Sequence, residues 1–400
     1  MTQEETFMAD LKETVKGTAR DCKVYGDLCK KQEYDLDKTI TDATLQDIPY
    51  INWQHFKMSN QLYHELLRIP IDQIAYWTLS SSSTGDPSLV GRVGKDVEVF
   101  RENYRKGFEE YAKMKTLKRL ILFAPSLKFL NHVRVRAMGK PGFLFYRDIT
   151  TIWDGFQTDF LLQFKMLKAI AYLLTHFKPK AFIEINGSQF EKALKSVEKE
   201  KTPTLMANSV PLIYMNVMDL IKKRKGVGYA MEPTFRVHTG GGGWSGVKGT
   251  VKLDKPIEKA EFFEKIGNFF NIPIENFSDT FGATETPICC GGHWSKKYND
   301  IVLHLDKMQA RMVIRNTESG ERIKTTKEPG LLEIVTPYGV DSYAGVAVLL
   351  DDVVEILDFN RCEECGRENL VLFRIVKKYT PESGKGCTSF TVYRPLKKNN

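Results

Sequence analysis

The chain has 400 residues, more than one hydrophobic core usually organises, so two or three packed subdomains are expected. With 42% hydrophobic and 27% charged residues, and no run of about 20 apolar residues, the composition excludes a disordered chain and a membrane-spanning helix. The net charge of +8 suits a polyanionic ligand or an acidic partner, but its basic clusters are short and scattered, which argues against nucleic-acid binding.

Helical and strand-like patterns alternate along the first three quarters of the chain. The predicted helices are 53–67, 97–114, 160–177, 210–223 and 257–270. The predicted strands between them are 74–79, 119–123, 142–146, 181–185 and 234–238. Helices that alternate with short apolar strands indicate an α/β fold with largely parallel sheets.

After about residue 296 the pattern changes to closely spaced strands with few helices between them. These predicted strands are 301–305, 310–315, 330–336, 347–350 and 353–357. We therefore expect α/β subdomains over 1–296, a β-rich subdomain over 297–376 and a short C-terminal segment over 377–400.

Two loops have the composition of ligand-binding backbone. The loop 80–88 begins with four serines and continues with Thr84 and Gly85, whose hydroxyls and amides could surround phosphate oxygens. An ordinary turn is the alternative for this loop. The loop 240–243 consists of four glycines before Trp244, which favours close approach of a ligand over a flexible linker.

Two further segments carry carboxylates next to apolar strands. In the segment 281–286, an aromatic residue precedes Thr284 and Glu285, a pair that could hold Mg²⁺. Asp351 and Asp352 end an apolar strand, where a carboxylate could bind ribose hydroxyls. A strand-ending acidic turn is the alternative for that pair.

The order of these four segments resembles that of the adenylate-forming superfamily, over roughly residues 75–390. Within it the chain looks most like the acyl-protein synthetase (LuxE) and phenylacetate–CoA ligase branch. The Pro-Ser ending of the first loop at 87–88 and the His-Thr-Gly-Gly-Gly-Gly-Trp run at 238–244 carry this resemblance. It implies the large domain of an adenylate-forming enzyme, followed by a short C-terminal segment.

The resemblance also implies roles for individual residues. Thr284 would contact the α-phosphate of ATP, Glu285 would bind Mg²⁺, and Asp352, with Asp351 as the alternative, would bind the ribose. It implies further ATP contacts from the phosphate loop, from the glycine loop near the adenine or acyl pocket, and from the strand end that flanks the adenine. In that order, the residues are Ser80, Ser81, Ser83, Thr84 and Gly85; Gly241 and Gly242; and Phe281 and Gly282.

Two positions depart from the family pattern. Ser82 stands where the family has glycine, and Lys378 stands where it has arginine before the C-terminal segment. A lysine provides a point charge without the bidentate geometry of arginine. These departures are the support for one alternative function, a nucleotide-binding protein that has lost catalysis.

The cysteines predict a metal site. Seven cysteines without a signal-peptide pattern indicate a cytoplasmic chain and no disulfide framework. Cys362 and Cys365 form a Cys-x-x-Cys pair of the zinc-knuckle form, and Cys290 with His293 could complete a Cys₃His structural zinc site. Cys289 is the alternative ligand, and small buried cysteines without metal are the alternative for the whole group.

Cys387 lies apart, near the C-terminus. It occupies the position where the acyl-protein synthetases carry an acyl-accepting cysteine, and the nearby Lys385 and Lys378 would raise its thiolate fraction. An exposed, inert cysteine is the alternative. In longer superfamily members a mobile domain brings a lysine to the adenylation site, and Lys385 could serve that purpose here.

These inferences predict ATP-dependent activation of a carboxylic acid, fatty or aromatic, as acyl-AMP, followed by acyl transfer to a thiol. The acceptor would be Cys387 itself, coenzyme A or a partner protein such as an acyl reductase. The main alternative is an acyl-CoA ligase of the phenylacetate–CoA ligase type, in which Cys387 has no role.

Overall fold

The computed structural model describes residues 2–80, 86–125, 134–137, 140–143, 155–164, 171–172, 174–176, 183–231, 233–240, 242–248, 251–323, 325 and 327–379. Within these ranges we label six helices. They are α1 Gln3–Asp21, α2 Lys23–Lys31, α3 Gly94–Tyr111, α4 Gly187–Glu200, α5 Val210–Lys223 and α6 Lys259–Phe270.

Strands alternate with helices in the first part of the chain and are the main elements of the last part. Those before residue 252 are β1 Ile51–Asn52, β2 Tyr76–Leu79, β3 Leu89–Arg92, β4 Arg119–Pro125, β5 Arg134–Ala137, β6 Lys140–Phe143, β7 Gln157–Phe164, β8 Ile183–Ile185, β9 Thr204–Asn208, β10 Phe235–Gly240, β11 Val247–Lys248 and β12 Val251–Lys252. Those after it are β13 Phe277–Gly282, β14 Cys289–Ser295, β15 Asp300–Asp306, β16 Arg311–Arg315, β17 Gly330–Val335, β18 Ala347–Arg361 and β19 Glu368–Lys378.

One large sheet joins thirteen of the described strands. Their order is β16-β17-β18-β19-β15-β14-β13-β10-β9-β4-β7-β8, with β1 pairing with β18. The neighbouring strands β13, β10, β9, β4 and β7 run parallel. Beyond β13, the strands β14, β15, β19, β18, β17 and β16 extend the sheet in antiparallel pairs. The α/β class predicted from the sequence is thereby confirmed.

Helices cover both faces of the parallel strands. On one face, Phe263 and Phe270 of α6 pack against Phe277 of β13 and Phe235 of β10, with ring centroids 5.0 Å apart in both pairs. On the other face, the Phe108 ring of α3 lies 4.6 Å from the ring of His238. The sheet is therefore buried on both sides at β10 and β13, as expected for parallel strands.

Three predicted helices, 97–114, 210–223 and 257–270, are confirmed as α3, α5 and α6. Helix α5 shows the sequence signals for its ends: a proline in its first turn and two lysines in its last. Its buried residues, including Ile213, Val217 and Leu220, recur at helical spacing and face the core.

One predicted helix is wrong, and another is wrong over its first part. Residues 53–67 contain only the short 3₁₀ segments Trp53–Phe56 and Met58–Asn60, after which Gln61 adopts a left-handed backbone. The helix predicted over 160–177 is wrong at its start, because 157–164 form strand β7, which pairs with β4 and β8, while the described residues 171–172 and 174–176 are helical. Short apolar runs do not distinguish a buried strand from a buried helix, and tertiary pairing decides between them.

Contacts cross the subdomain division predicted at residue 296. Strands β14 and β15, which flank that position, pair with each other from Gly291–His304 to Ser295–Asp300. Helix α1 packs against the second half of the chain, with the rings of Phe7 and Tyr338 6.0 Å apart. The division itself stays a prediction. Among the described helices, none is long and apolar enough to cross a bilayer.

Candidate active site and metal centre

The glycine loop and the Thr-Glu loop are neighbours at the carboxyl edge of the parallel strands. Strands β10 and β13 pair in parallel, and Gly240 lies opposite Thr280. The glycine loop follows β10 directly, and the segment 283–286 follows β13 directly. Open parallel sheets bind ligands at this edge, so the two motifs meet where a ligand is expected.

Glycine is required by the local geometry at two of these positions. Gly242 has a φ of +71°, a conformation that other residues rarely adopt. At Gly282, a Cβ atom would lie 2.1 Å from the Tyr104 hydroxyl of α3, so any side chain would force the Tyr104 ring to move. The first glycine thus shapes the loop, and the second allows α3 to contact the end of β13.

Buried polar side chains connect β10 and β13, and the sequence reasoning missed them. His238 bonds through its two ring nitrogens to Ser278 Oγ at 2.8 Å and Thr280 Oγ1 at 3.1 Å. Burial lowers the pKa of His238 to about 3, so the ring is neutral. Its signal in the sequence was a histidine at the end of the strand predicted over 234–238.

A second connection lies on the opposite face of the same strands. The Thr239 hydroxyl donates to Asp279 at 2.7 Å. Burial raises the pKa of Asp279 to about 7, despite this hydrogen bond. Together the two connections hold the strands from which the glycine loop and the Thr-Glu loop emerge.

Glu285 and Asp352 are buried carboxylates that lie close to one another. Glu285 is 7% exposed and Asp352 is 3% exposed. Burial raises the pKa of Asp352 to about 6, and the charge of Glu285 contributes to this increase. In the part of the chain that the structure describes, no residue forms a side-chain hydrogen bond or ion pair with the Glu285 carboxylate.

Lys378 lies beside the second of these carboxylates. The register of the β18–β19 pair places Lys378 opposite Asp352. Its ammonium group donates to Asp352 at 2.9 Å and to Asp351 at 2.6 Å. The structure thus brings together Glu285, Asp352 and Lys378, which are far apart in the sequence.

The serine-rich loop is carried by the hairpin of β2 and β3. Ser80 closes the base of the loop: its amide donates to Ser88 O at 3.0 Å, and its hydroxyl accepts from the Ser88 amide at 2.8 Å. From β3, Arg92 donates to the backbone carbonyl of Thr284 at 2.8 Å. This contact joins the hairpin to the Thr-Glu loop.

The structure describes only some of the remaining residues predicted for the site. Phe281 is half-buried, and its ring meets the ring of Phe373 edge-on at 6.2 Å. Seven others lie outside the described residues. They are Ser81, Ser83, Thr84 and Gly85 of the serine-rich loop, Gly241, and the C-terminal Lys385 and Cys387 as a further pair.

A separate cluster of two histidines and two cysteines forms at the ends of β14, β15 and β18. One ligand atom from each of four residues lies within 4.8 Å of the others: His293, His304, Cys362 and Cys365. His293 Nε2 lies 3.4 Å from Cys362 Sγ. This is the donor set and spacing of a tetrahedral zinc site.

Cys290, predicted as the fourth ligand, is not part of this cluster, and His304 takes its place. Side chains alternate between the two faces of a strand, so Cys290 and His293 of β14 point in opposite directions. Cys290 is 1% exposed and packs in the main hydrophobic core. His304 lies opposite Gly291 on the neighbouring strand, on the face that carries His293. Its sequence signal was a histidine inside the apolar strand 301–305.

The histidines and the cysteine turn are oriented by neighbours. Nδ1 of His293 bonds to Trp294 O at 2.8 Å, and Nδ1 of His304 bonds to the Tyr111 hydroxyl at 2.7 Å. His304 Nε2 has no hydrogen-bond partner among the described residues. Both rings therefore use Nδ1 for orientation and direct Nε2 towards the cysteines, as zinc-binding histidines do.

The cysteine turn also contacts helix α3. Arg367 donates to the Glu110 carbonyl at 2.7 Å and lies 3.9 Å from the centre of the Tyr111 ring. Gly366 has a φ of +73°, which closes the turn behind Cys365. The cluster therefore joins three strands to the end of the helix that also contacts Gly282 and His238.

Comparisons with known proteins give a family and a fold for this chain. A family model described as "Acyl-protein synthetase, LuxE" matches residues 157–392, more than half of the chain. Three crystal structures of 2-hydroxyisobutyryl-CoA ligase are similar to it at 10% sequence identity, with TM-scores of 0.56, 0.56 and 0.57. They cover 92%, 92% and 94% of this chain, which spans 73%, 66% and 69% of theirs. No curated protein sequence matches the chain.

Proposed function

This chain belongs to the LuxE acyl-protein synthetase family, and we propose on that basis that it activates a fatty or aromatic carboxylic acid as acyl-AMP and transfers the acyl group to a thiol. It is an adenylate-forming ligase. The observation that carries the proposal is that buried Glu285, on the loop that follows β13 next to the glycine loop, lies close to buried Asp352.

Each of these residues receives a role in the adenylation step. Asp352 accepts the ribose hydroxyls, Thr284 donates to the α-phosphate, and Phe281 with Gly282 borders the adenine. The amides of Gly241 and Gly242 border the adenine or the acyl pocket. The phosphates are held by the serine-rich loop: Ser80, Ser81, Ser83, Thr84 and Gly85. The substrate carboxylate attacks the α-phosphorus in line, and pyrophosphate leaves.

Glu285 fits the role of a magnesium ligand. Its carboxylate is buried, lies near a second carboxylate and has no described hydrogen-bond or ion-pair partner. Oxygen donors of this kind are the ones Mg²⁺ prefers. A bound Mg²⁺ would neutralise charge on the phosphate oxygens. Lys378, already at Asp352, and Lys385 supply further positive charge for the α-phosphate.

We also propose that His293, His304, Cys362 and Cys365 bind a structural zinc ion. The four ligand atoms are mutually close, and the second nitrogen of each histidine is engaged by a neighbour. Four protein ligands leave no open position for a substrate, which favours a structural role over a catalytic one. The ion would stabilise the junction of β14, β15, β18 and α3.

The proposed activity is tested by carboxylate-dependent exchange of labelled pyrophosphate into ATP. We expect exchange with at least one member of a panel of fatty, aromatic and amino acids, and no exchange without an acid. Absence of exchange over the whole panel would instead support a nucleotide-binding protein that has lost catalysis.

The thiol acceptor in our proposal is Cys387, which carries the acyl group as a thioester before a partner such as an acyl reductase receives it. A Cys387→Ser variant is expected to keep pyrophosphate exchange and to lose covalent labelling by radioactive acid, while Cys29→Ala, at a buried cysteine, keeps both. Labelling of Cys387→Ser at the wild-type level would exclude Cys387 as the acceptor.

Coenzyme A is the competing acceptor. One of the structures with a similar fold is a 2-hydroxyisobutyryl-CoA ligase in complex with 2-HIB-AMP and CoA. The two acceptors are separated by leaving CoA out of the assay. Labelled protein without CoA supports the acyl-protein synthetase, and turnover only with CoA supports the ligase.

Asp352 makes nucleoside binding depend on pH. Its pKa is raised to about 6 by burial, so the carboxylate is ionised above this pH and protonated below it. Since ribose hydroxyls donate more strongly to the ionised form, we expect adenosine affinity to fall as the pH falls through about 6. Calorimetric titration of adenosine, which has no phosphate that titrates there, measures this directly.

Two controls accompany that measurement. Asp352→Asn is expected to bind adenosine more weakly than wild type with no pH dependence, and 2′,3′-dideoxyadenosine is expected to show none with the wild type. A pH dependence that persists in Asp352→Asn would assign the effect to another group.

A further inference from the structure

We propose that Arg92 is a positioning residue for catalysis, which fixes the backbone of Thr284 and Glu285 relative to the β2–β3 hairpin. This inference rests on the proposed function, because it assumes that Glu285, in the segment 283–286, binds Mg²⁺. Arg92 carried no signal in the sequence, where it is one of 58 lysines and arginines.

The burial of Arg92 is the first observation. Its relative exposure is 0%, and its guanidinium lies between two aromatic faces, 5.0 Å from the Phe100 ring centre and 4.8 Å from that of Tyr343. Among the described residues, its hydrogen bonds go to neutral oxygens. Removing a charge from water is costly, and an apolar side chain at such a position is often as stable or more so. A requirement other than stability is therefore indicated.

The segments that Arg92 joins are the second observation. Nε donates to Thr78 Oγ1 on β2 at 3.4 Å, and one terminal nitrogen donates to Thr284 O at 2.8 Å. The other terminal nitrogen donates to Gly339 O at 3.3 Å and to the Tyr343 hydroxyl at 3.2 Å. One planar group thus spans the hairpin of the serine-rich loop, the Thr-Glu loop and the 339–343 segment.

Tyr343 extends this connection to Glu285. Its hydroxyl accepts from Arg92 and donates to the Glu285 carbonyl at 3.0 Å. The two consecutive carbonyls of Thr284 and Glu285 are therefore both bound by the Arg92–Tyr343 pair, which restricts the backbone from which the proposed cation ligand projects. Asp96, at the start of α3, accepts from the Asp341 and Ser342 amides at 2.9 Å and so holds the Tyr343 segment in place.

The test measures the Mg²⁺ dependence of pyrophosphate exchange in Arg92→Lys. A lysine keeps the charge but cannot reach four acceptors from a planar fork. We expect the Mg²⁺ concentration for half-maximal exchange to rise by about 10- to 100-fold, the usual effect of losing a residue that orients a metal ligand. A merely structural role would lower the folded fraction and leave this concentration unchanged.

Two further variants keep the test decisive. Tyr343→Phe removes a single hydroxyl and is expected to raise the half-maximal Mg²⁺ concentration by about fivefold, the equivalent of one neutral hydrogen bond. Arg119→Lys is the matched control, because Arg119 is also buried, at 5% exposure, but pairs with Asp159 at the opposite ends of the strands. It is expected to retain the wild-type Mg²⁺ dependence.

The outcomes separate this inference from the proposed function. Exchange by the wild type combined with unchanged Mg²⁺ dependence in Tyr343→Phe and in folded Arg92→Lys would overturn the inference and leave the function intact. An equal increase in Arg119→Lys would also overturn it, by showing a general effect of losing a buried arginine. Absence of exchange by the wild type would overturn the function itself.

Discussion

Replacing Glu285 by glutamine is expected to lower the rate of carboxylate-dependent pyrophosphate exchange by about 10²-fold or more. Glutamine keeps the size of the side chain and removes the charge that we assign to the magnesium ion. Because charge on the phosphate oxygens grows in the transition state, this loss acts on the rate more than on ATP affinity. Exchange rates and equilibrium ATP binding, measured on the same preparation, separate the two effects.

The control for this prediction is Glu355→Gln. Glu355 is 8% exposed, nearly the same as Glu285, and pairs with Arg374 at 2.9 Å on strand β18. If burial alone made a glutamate indispensable, both variants would lose exchange equally. We expect Glu355→Gln to remain near the wild-type rate. A Glu285→Gln variant with full exchange would exclude Glu285 as the cation ligand.

Removing zinc is expected to destabilise the protein substantially. A ligand present at about 1,000 times its dissociation constant stabilises the folded state by about 4 kcal/mol, and a chelator removes that contribution. We expect one zinc ion per purified chain, and a lower melting temperature after chelation that is restored by adding zinc back. Metal analysis and a thermal melt on the same sample measure both.

Single substitutions identify the ligands. His304→Ala and Cys365→Ser are expected to lose the metal, whereas Cys290→Ala is expected to retain it despite its buried position. The sequence pattern alone predicts Cys290, and not His304, as a zinc ligand. Zinc loss in Cys290→Ala with zinc retained in His304→Ala would overturn the arrangement seen in the structure. Metal-free wild-type protein from zinc-supplemented cells would remove the site altogether.

Motif order allowed candidate residues of an active site to be proposed from the sequence. Glycine runs, hydroxyl-rich loops and carboxylates at strand ends are local features, because each reflects what a few consecutive residues can do. The helices α3, α5 and α6 were predictable for the same reason, since each has its own period and its own end signals. The residues that connect the motifs have no local signal. His238 bonds to Ser278 and Thr280, about 40 residues later in the chain.

The sequence by itself determined the α/β class, the order of the candidate ligand-binding loops and three of the four cluster residues. Tertiary structure decided the fourth, because the alternation of β14 directs Cys290 into the core while pairing with β15 brings His304 beside His293. It also decided that 157–164 is a strand and that Arg92 meets Thr284, 192 residues away. Sheet pairing joins distant segments through backbone hydrogen bonds that every residue type except proline can donate and accept. Composition and spacing therefore carry little record of which strands become neighbours.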